Sequence, residues 1–190
     1  MSNWPVVYRI NAHDELVHVN DAWTAFADDN GAAAQGASHV LGRVLWTFVT
    51  DSTTRHIYKR MVDRVRIDGT PIRFQFRCDA PGRRRLLAME IARADNGSVE
   101  FAVTSVAEDA RMPVPLLEMD GDHSDALLKM CGWCKKVPLQ SGAWVEIEQA
   151  IGDIGIFQGG LEPQITHGIC PACYANMMNV IDDNLEIQSR

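Results

Sequence analysis

The sequence predicts an α+β protein: two strands, several short helices and three long antiparallel strands, followed by a small C-terminal metal module. Three observations predict it. Apolar residues alternate with polar ones along Ile72, Phe74 and Phe76 and again along Val99, Phe101 and Val103, the period of a strand with one buried face. They recur at helical spacing in Trp23, Phe26 and Ala27 and in Ile57, Met61 and Val65. Four of the five cysteines form two Cys-x-x-Cys pairs, Cys131 with Cys134 and Cys170 with Cys173.

Each element follows from local chemistry. Val6 to Ile10 and Leu16 to Val19 read as a hairpin around the polar turn His13-Asp14-Glu15. Asn20 and Asp21 offer a cap for the helix carrying Trp23, and Asn30-Gly31 a left-handed stop. Ala32 to Ser38 reads as a loop, and Val40 to Val49 as a helical turn. Asp51-Ser52-Thr53 caps a longer helix that Asp68-Gly69 closes. Three strands follow, at 72–77, 86–92 and 99–103, with Asp95-Asn96-Gly97 as a hairpin turn. The prolines of Met112-Pro113-Val114-Pro115 break any helix there. A short helix is expected over Ala126 to Met130, and a strand over Trp144 to Glu148. Gly152 to Gly160 is glycine-rich. Tyr174, Met177, Met178, Ile181 and Leu185 keep helical spacing, with Pro171 suited to that helix's first turn.

At 190 residues the chain suits one medium domain and a small module. The divisions expected are 1–108 for the sheet domain, 109–129 for a connector and 130–190 for the cysteine module. The net charge of −7 argues against general nucleic-acid binding. The charge is unevenly placed. Between Arg55 and Arg93 stand eleven Lys/Arg and four Asp/Glu, a local +7 against −14 elsewhere. That basic stretch is read as a solvated face, docked against the chain's own acidic C-terminal part, or as a surface for an acidic partner. Arg77 and Arg83-Arg84-Arg85 are read as surface, although adjacent strand residues cannot all point one way.

No apolar run is long enough to span a bilayer, so no membrane association is expected. The N-terminus has neither a basic nor an apolar leader region, which suggests a reducing cytoplasm where paired cysteines hold metal more often than they form disulfides. Two thiolate pairs a few dozen residues apart make a tetrahedral site for zinc, with iron the alternative. Four sulfurs leave no open position, so the site reads as structural. Cys170 and Cys173 would lie at a helix N-terminus, whose free N–H groups favour thiolate charge. His167 is a candidate neighbour of the metal shell. Cys78 reads as a half-buried strand residue.

The stretch from Val6 to about Val106 resembles a PAS domain. The likeness rests on Val-His-Val-Asn-Asp-Ala-Trp at 17–23, Val-Leu-Gly-Arg at 40–43, the helix at 52–67 and Arg-Phe-Gln-Phe-Arg-Cys at 73–78. It implies a five-stranded antiparallel sheet of order 2-1-5-4-3 with helices on one face, and a sensory or regulatory role through ligand or protein binding. It also implies a homodimer and a pocket lined by Trp23, Phe26, Trp46, Phe74 and Phe76. The haem and flavin forms of such domains are not expected: His56 reads as a surface residue, and the flavin-binding cysteine motif has no counterpart. The cysteine segment resembles a treble-clef or zinc-ribbon tail found after bacterial sensor domains. No enzyme motif is present, so no catalytic residues are expected. The alternatives are a redox or metal sensor that releases zinc on thiolate oxidation, and a metal-dependent enzyme with an open coordination position. The ligand and the protein partner are not named by the sequence.

Overall fold

The computed structural model describes residues 5–30, 32, 36–118, 123–154 and 162–186. The first hairpin is β1 (Val6–Ile10) with β2 (Leu16–Val19). Helix α1 (Asp21–Asp29) starts where the Asn20 side chain accepts the N–H of Trp23. Its end differs from expectation. Asn30 has φ −108°, not a left-handed value, and it closes the helix by donating its backbone N–H to Ala27 and its side-chain amide to Phe26. Gly31 lies outside the described residues.

The stretch read as a loop contains a short helix, α2 (Ala37–Val40), and a 3-10 turn follows at Leu45–Thr47. Residues 33–35 are outside the described set. Helix α3 (Ser52–Asp68) is as expected: Asp51 accepts the N–H of Thr54 at 2.7 Å, and Gly69 closes it at φ 77°. Then come β3 (Ile72–Arg77), β4 (Arg83–Arg93) and β5 (Val99–Ala110). Both β4 and β5 outrun the segments read from apolar alternation, because their backbones go on pairing where Arg83, Arg84 and Arg85 stand opposite Ala110, Asp109 and Glu108.

These five strands form one antiparallel sheet in the order β2-β1-β5-β4-β3. Its inward side chains, among them Ile72 and Phe74, Met89 and Ile91, Val99 and Phe101, pack on Ile57, Met61 and Val65 of α3. Alternation along each strand puts them on the same face. The opposite face carries cross-strand ion pairs, Arg9 with Glu100 and Arg73 with Glu90. The fold is thus α+β with a five-stranded antiparallel sheet and several helices.

The C-terminal part departs more from expectation. Ala126 to Met130 is not helical: it belongs to β6 (His123–Cys131), paired in parallel with β9 (Glu162–Gly168). Local propensity at Ala-Leu-Leu-Lys-Met favours helix, but the pairing with a distant strand wins. Trp144 to Glu148 is only a two-residue strand. Val137–Pro138 (β7) pairs with Trp144–Val145 (β8), and α4 (Ile147–Ile154) begins at once. Residues 155–161 of the glycine-rich stretch lie outside the described set. Helix α5 (Pro171–Glu186) opens with Pro171, as expected, and buries Met177 and Ile181; the side chain of Leu185 is not described.

Among the described residues the buried side chains form two clusters. A smaller one joins Val114 and Leu116 to Met130, Val137, Ile147 and Ala150. The larger one holds the sheet interior and also Cys131, Trp133, Cys170, Met177 and Ile181. The cysteine segment is therefore packed into the main core rather than set apart from it. Charge follows the same seam. Arg77 pairs with Glu146 at 2.6 Å, Arg84 with Glu148 at 2.8 Å, and Arg60 with Asp182 at 3.6 Å. Three arginines of the basic stretch thus pair with the chain's acidic C-terminal part, while Arg66, Arg73 and Arg83 pair with Asp14, Glu90 and Glu108.

Candidate metal centre

Cys131 is the last residue of β6, and a tight turn carries the chain through Gly132 and Trp133 to Cys134. Backbone bonds hold the knuckle. Lys135 donates to the Cys131 carbonyl at 3.0 Å, and Cys131 donates to the Lys136 carbonyl at 2.8 Å. Lys135 adopts φ 60° to close the turn. The parallel strand β9 runs beside β6 and fixes where α5 starts, with Gly132 donating to the Gly168 carbonyl at 2.8 Å. Cys170 precedes α5 and Cys173 sits in its first turn.

All four sulfurs lie within 4.8 Å of one another, and the Sγ atoms of Cys134 and Cys170 are 3.8 Å apart. A tetrahedron with metal–sulfur bonds of about 2.3 Å has edges of roughly 3.8 Å. Free N–H groups point at the sulfurs: Cys170 donates to the Cys131 sulfur and Cys173 to the Cys170 sulfur, both at 3.4 Å. Such donors favour thiolate over thiol.

Without a cation the cluster cannot share charge evenly. A hydrogen bond from Cys134, against a smaller opposing effect of burial, brings the Cys131 thiol down to about 4. Cys134 is pushed up by the bond it donates to Cys131 and by burial. Cys173 is pushed up to about 12 by burial and by the charge on Cys131. One thiolate is held while Cys134 and Cys173 keep their protons. A divalent cation relieves that conflict by binding all four as thiolates and offsetting half of their combined charge. The residues present fit a metal ion: four convergent soft donors, Cys131 and Cys170 buried and Cys134 and Cys173 half-buried.

His167 lies on β9 opposite Met130 and is not among the clustered ligand atoms. Its ring is partly exposed. Burial of the remainder, together with the charge of Lys135, holds the imidazole below its usual range. It borders a cavity of about 280 Å³ whose wall also includes Tyr8, Trp46, Tyr58 and Lys135.

A larger cavity, of about 650 Å³, lies between α1 and the sheet. Of the five residues read as pocket-lining, Trp23, Phe26 and Phe76 border it. Two do not. Trp46 lines the smaller cavity and donates its indole N–H to Asp14 at 2.5 Å. Phe74 is 7% exposed in the core, between Tyr58 and Phe76. Sequence reasoning missed Tyr8, Cys78, Arg85 and Leu87, all in the cavity wall. Arg85 was read as surface and is buried. The available signal was alternation: in Arg83-Arg84-Arg85, placing Arg84 on the outer face puts Arg85 inside.

Among the described residues, no helix is long and apolar enough to cross a membrane. No family model matches the chain, and no curated protein matches it. Among solved structures the chain is slightly similar to a crystal structure of a domain of an HTR-like protein from Haloarcula marismortui. Identity is 16% and the TM-score 0.36, over 54% of this chain and 98% of that one.

Proposed function

We propose that this chain is a PAS-type sensory or regulatory protein that acts by binding a ligand or a protein partner. In this reading zinc is held by Cys131, Cys134, Cys170 and Cys173 in a structural, treble-clef-like module. The observation that carries the reading is the cavity of about 650 Å³ between α1 and a sheet of order β2-β1-β5-β4-β3. Its size falls in the range of small-molecule sites. The zinc would supply cross-linking, holding the knuckle to the start of α5; the chain's own residues would do the recognition. The protein is not an enzyme in this reading, it works in a reducing cytoplasm, and it pairs as a homodimer.

Metal analysis of the full chain, with its visible spectrum, tests the metal part. One zinc per chain and no visible band are expected; a coloured iron site or no bound metal overturns it. A redox reading has one observation in its favour, the half-exposure of Cys134 and Cys173. Zinc release on moderate peroxide treatment would support it, and full retention would remove it.

A further inference from the structure

Resting on the reading of the larger cavity as a ligand site, we infer that its ligand is a small planar aromatic carboxylate. The reason is Arg85. It is 6% exposed and lines the cavity. Its Nε donates to the Cys78 carbonyl and its Nη2 to the Asn30 side chain, both at 2.7 Å. Both partners are neutral. Among the described residues no carboxylate lies within ion-pairing distance of this guanidinium.

Two nearby carboxylates are engaged elsewhere, and Asp29, which also borders the cavity, is exposed and forms no ion pair with Arg85. Asp79 pairs with Arg77 and Arg111, and Glu108 with Arg83. A buried cation without a counterion is costly, and an anion brought into the site relieves that cost. Nη1 makes no hydrogen bond to a described residue, so the guanidinium keeps donors for an incoming acceptor. Arginine's planar fork suits a carboxylate held by two parallel bonds.

The remainder of the wall defines the body of the ligand. Tyr8, Trp23, Phe26 and Phe76 give aromatic surface, and Leu87 and Val103 aliphatic surface. Tyr8 is already stacked on Phe101 and meets Trp23 edge-on. Arg85 lies over the Phe26 ring, with its central carbon 5.1 Å from the centroid, which orients the guanidinium plane. A flat ring carrying one carboxylate satisfies both halves of the site.

The test uses the zinc-loaded full chain and matched probe pairs at constant ionic strength. Benzoate, phenylacetate and indole-3-acetate are titrated against their neutral amides, with binding read by calorimetry and by the shift of the Trp23 indole N–H. Carboxylates are expected to bind at least tenfold tighter than the amides, and Arg85→Gln is expected to abolish that preference. Equal or tighter binding of the amides overturns the charge class while leaving the cavity as a ligand site; Arg85 is then only a strut between α1 and β4. Binding of neither set removes the cavity as a ligand site, and the inference with it. The wild-type comparison stands even if Arg85→Gln fails to fold, which zinc content and circular dichroism would reveal.

Discussion

The backbone N–H of Arg77 donates to the carbonyl oxygen of Trp133 at 2.7 Å. Arg77 ends β3, an edge strand of the sheet, and Trp133 lies between the two cysteines of the knuckle. The knuckle thus occupies an open donor on the edge of β3. The flanking residues Phe76 and Cys78 border the larger cavity. Three consecutive residues therefore touch the proposed ligand site on one side and the metal centre on the other.

Metal removal should consequently destabilise the whole chain, not the tail alone. Chelation of the purified protein is expected to lower the melting temperature and to strip hydrogen-exchange protection from the Arg77 amide. An unchanged melting temperature after confirmed metal loss would separate the centre from the core.

Trp133 is 4% exposed and stacks on Tyr58 with ring centroids 5.6 Å apart. Trp133→Ala is expected to cost about 3–5 kcal/mol in denaturant unfolding, through lost burial and the void it leaves. Trp133→Phe should cost distinctly less, because an aromatic ring still meets Tyr58.

Asp79 is a buried carboxylate shared by two guanidinium groups, with its side chain 1% exposed, Arg77 beside it and Arg111 at 3.3 Å. Asp79→Asn removes the charge and leaves both cations partly uncompensated. The expected loss is about 3–5 kcal/mol, measured in urea at neutral pH. A loss under 1 kcal/mol would show that Glu146 and Glu148 suffice for Arg77 and Arg111.

Zinc affinity should rise steeply with pH. Cys131, at about 4, is already a thiolate near neutrality, whereas Cys173, at about 12, and the raised Cys134 still carry protons. Binding must expel at least those two protons, so affinity should gain at least about 100-fold per pH unit between pH 6 and 8. Competition with a chromophoric chelator reads the slope; a tenfold gain or less would mean that only one proton leaves.

The imidazole of His167 has a depressed folded-state value, from burial first and the Lys135 charge second. The unfolded chain therefore binds the extra proton first as pH falls. The stability concerned is present above the unfolded histidine value of about 6.5 and is lost as pH drops towards the folded one. His167→Gln should flatten that part of the stability profile below neutrality at constant zinc occupancy. An unaltered profile would mean that the ring titrates alike in both states.

Much of the molecule was legible because the signals were local. The alternation at Ile72, Phe74 and Phe76, the caps at Asn20 and Asp51, and the stop at Gly69 each depend on residues a few positions apart. So does each cysteine pair. The misreadings share a cause. Ala126 to Met130 is a strand because it pairs with Glu162–Gly168, and Arg85 is inside because β4 continues past its apolar stretch. Neither fact is encoded within reach of a short window. Trp46 and Phe74 carried the right chemistry for a pocket, yet packing placed them elsewhere.

The sequence by itself determined the fold class, the strands that pair with a near neighbour and the soft chemistry of the four donors, because periodicity, capping and residue type act over one or two turns of chain. Only the tertiary structure decided that the sulfurs of Cys134 and Cys170, 36 positions apart, come within 3.8 Å, that their knuckle closes the edge of β3, and that one arginine of three is buried without a counterion among the described residues. Those outcomes depend on long-range strand pairing and on the competition for burial in a single core.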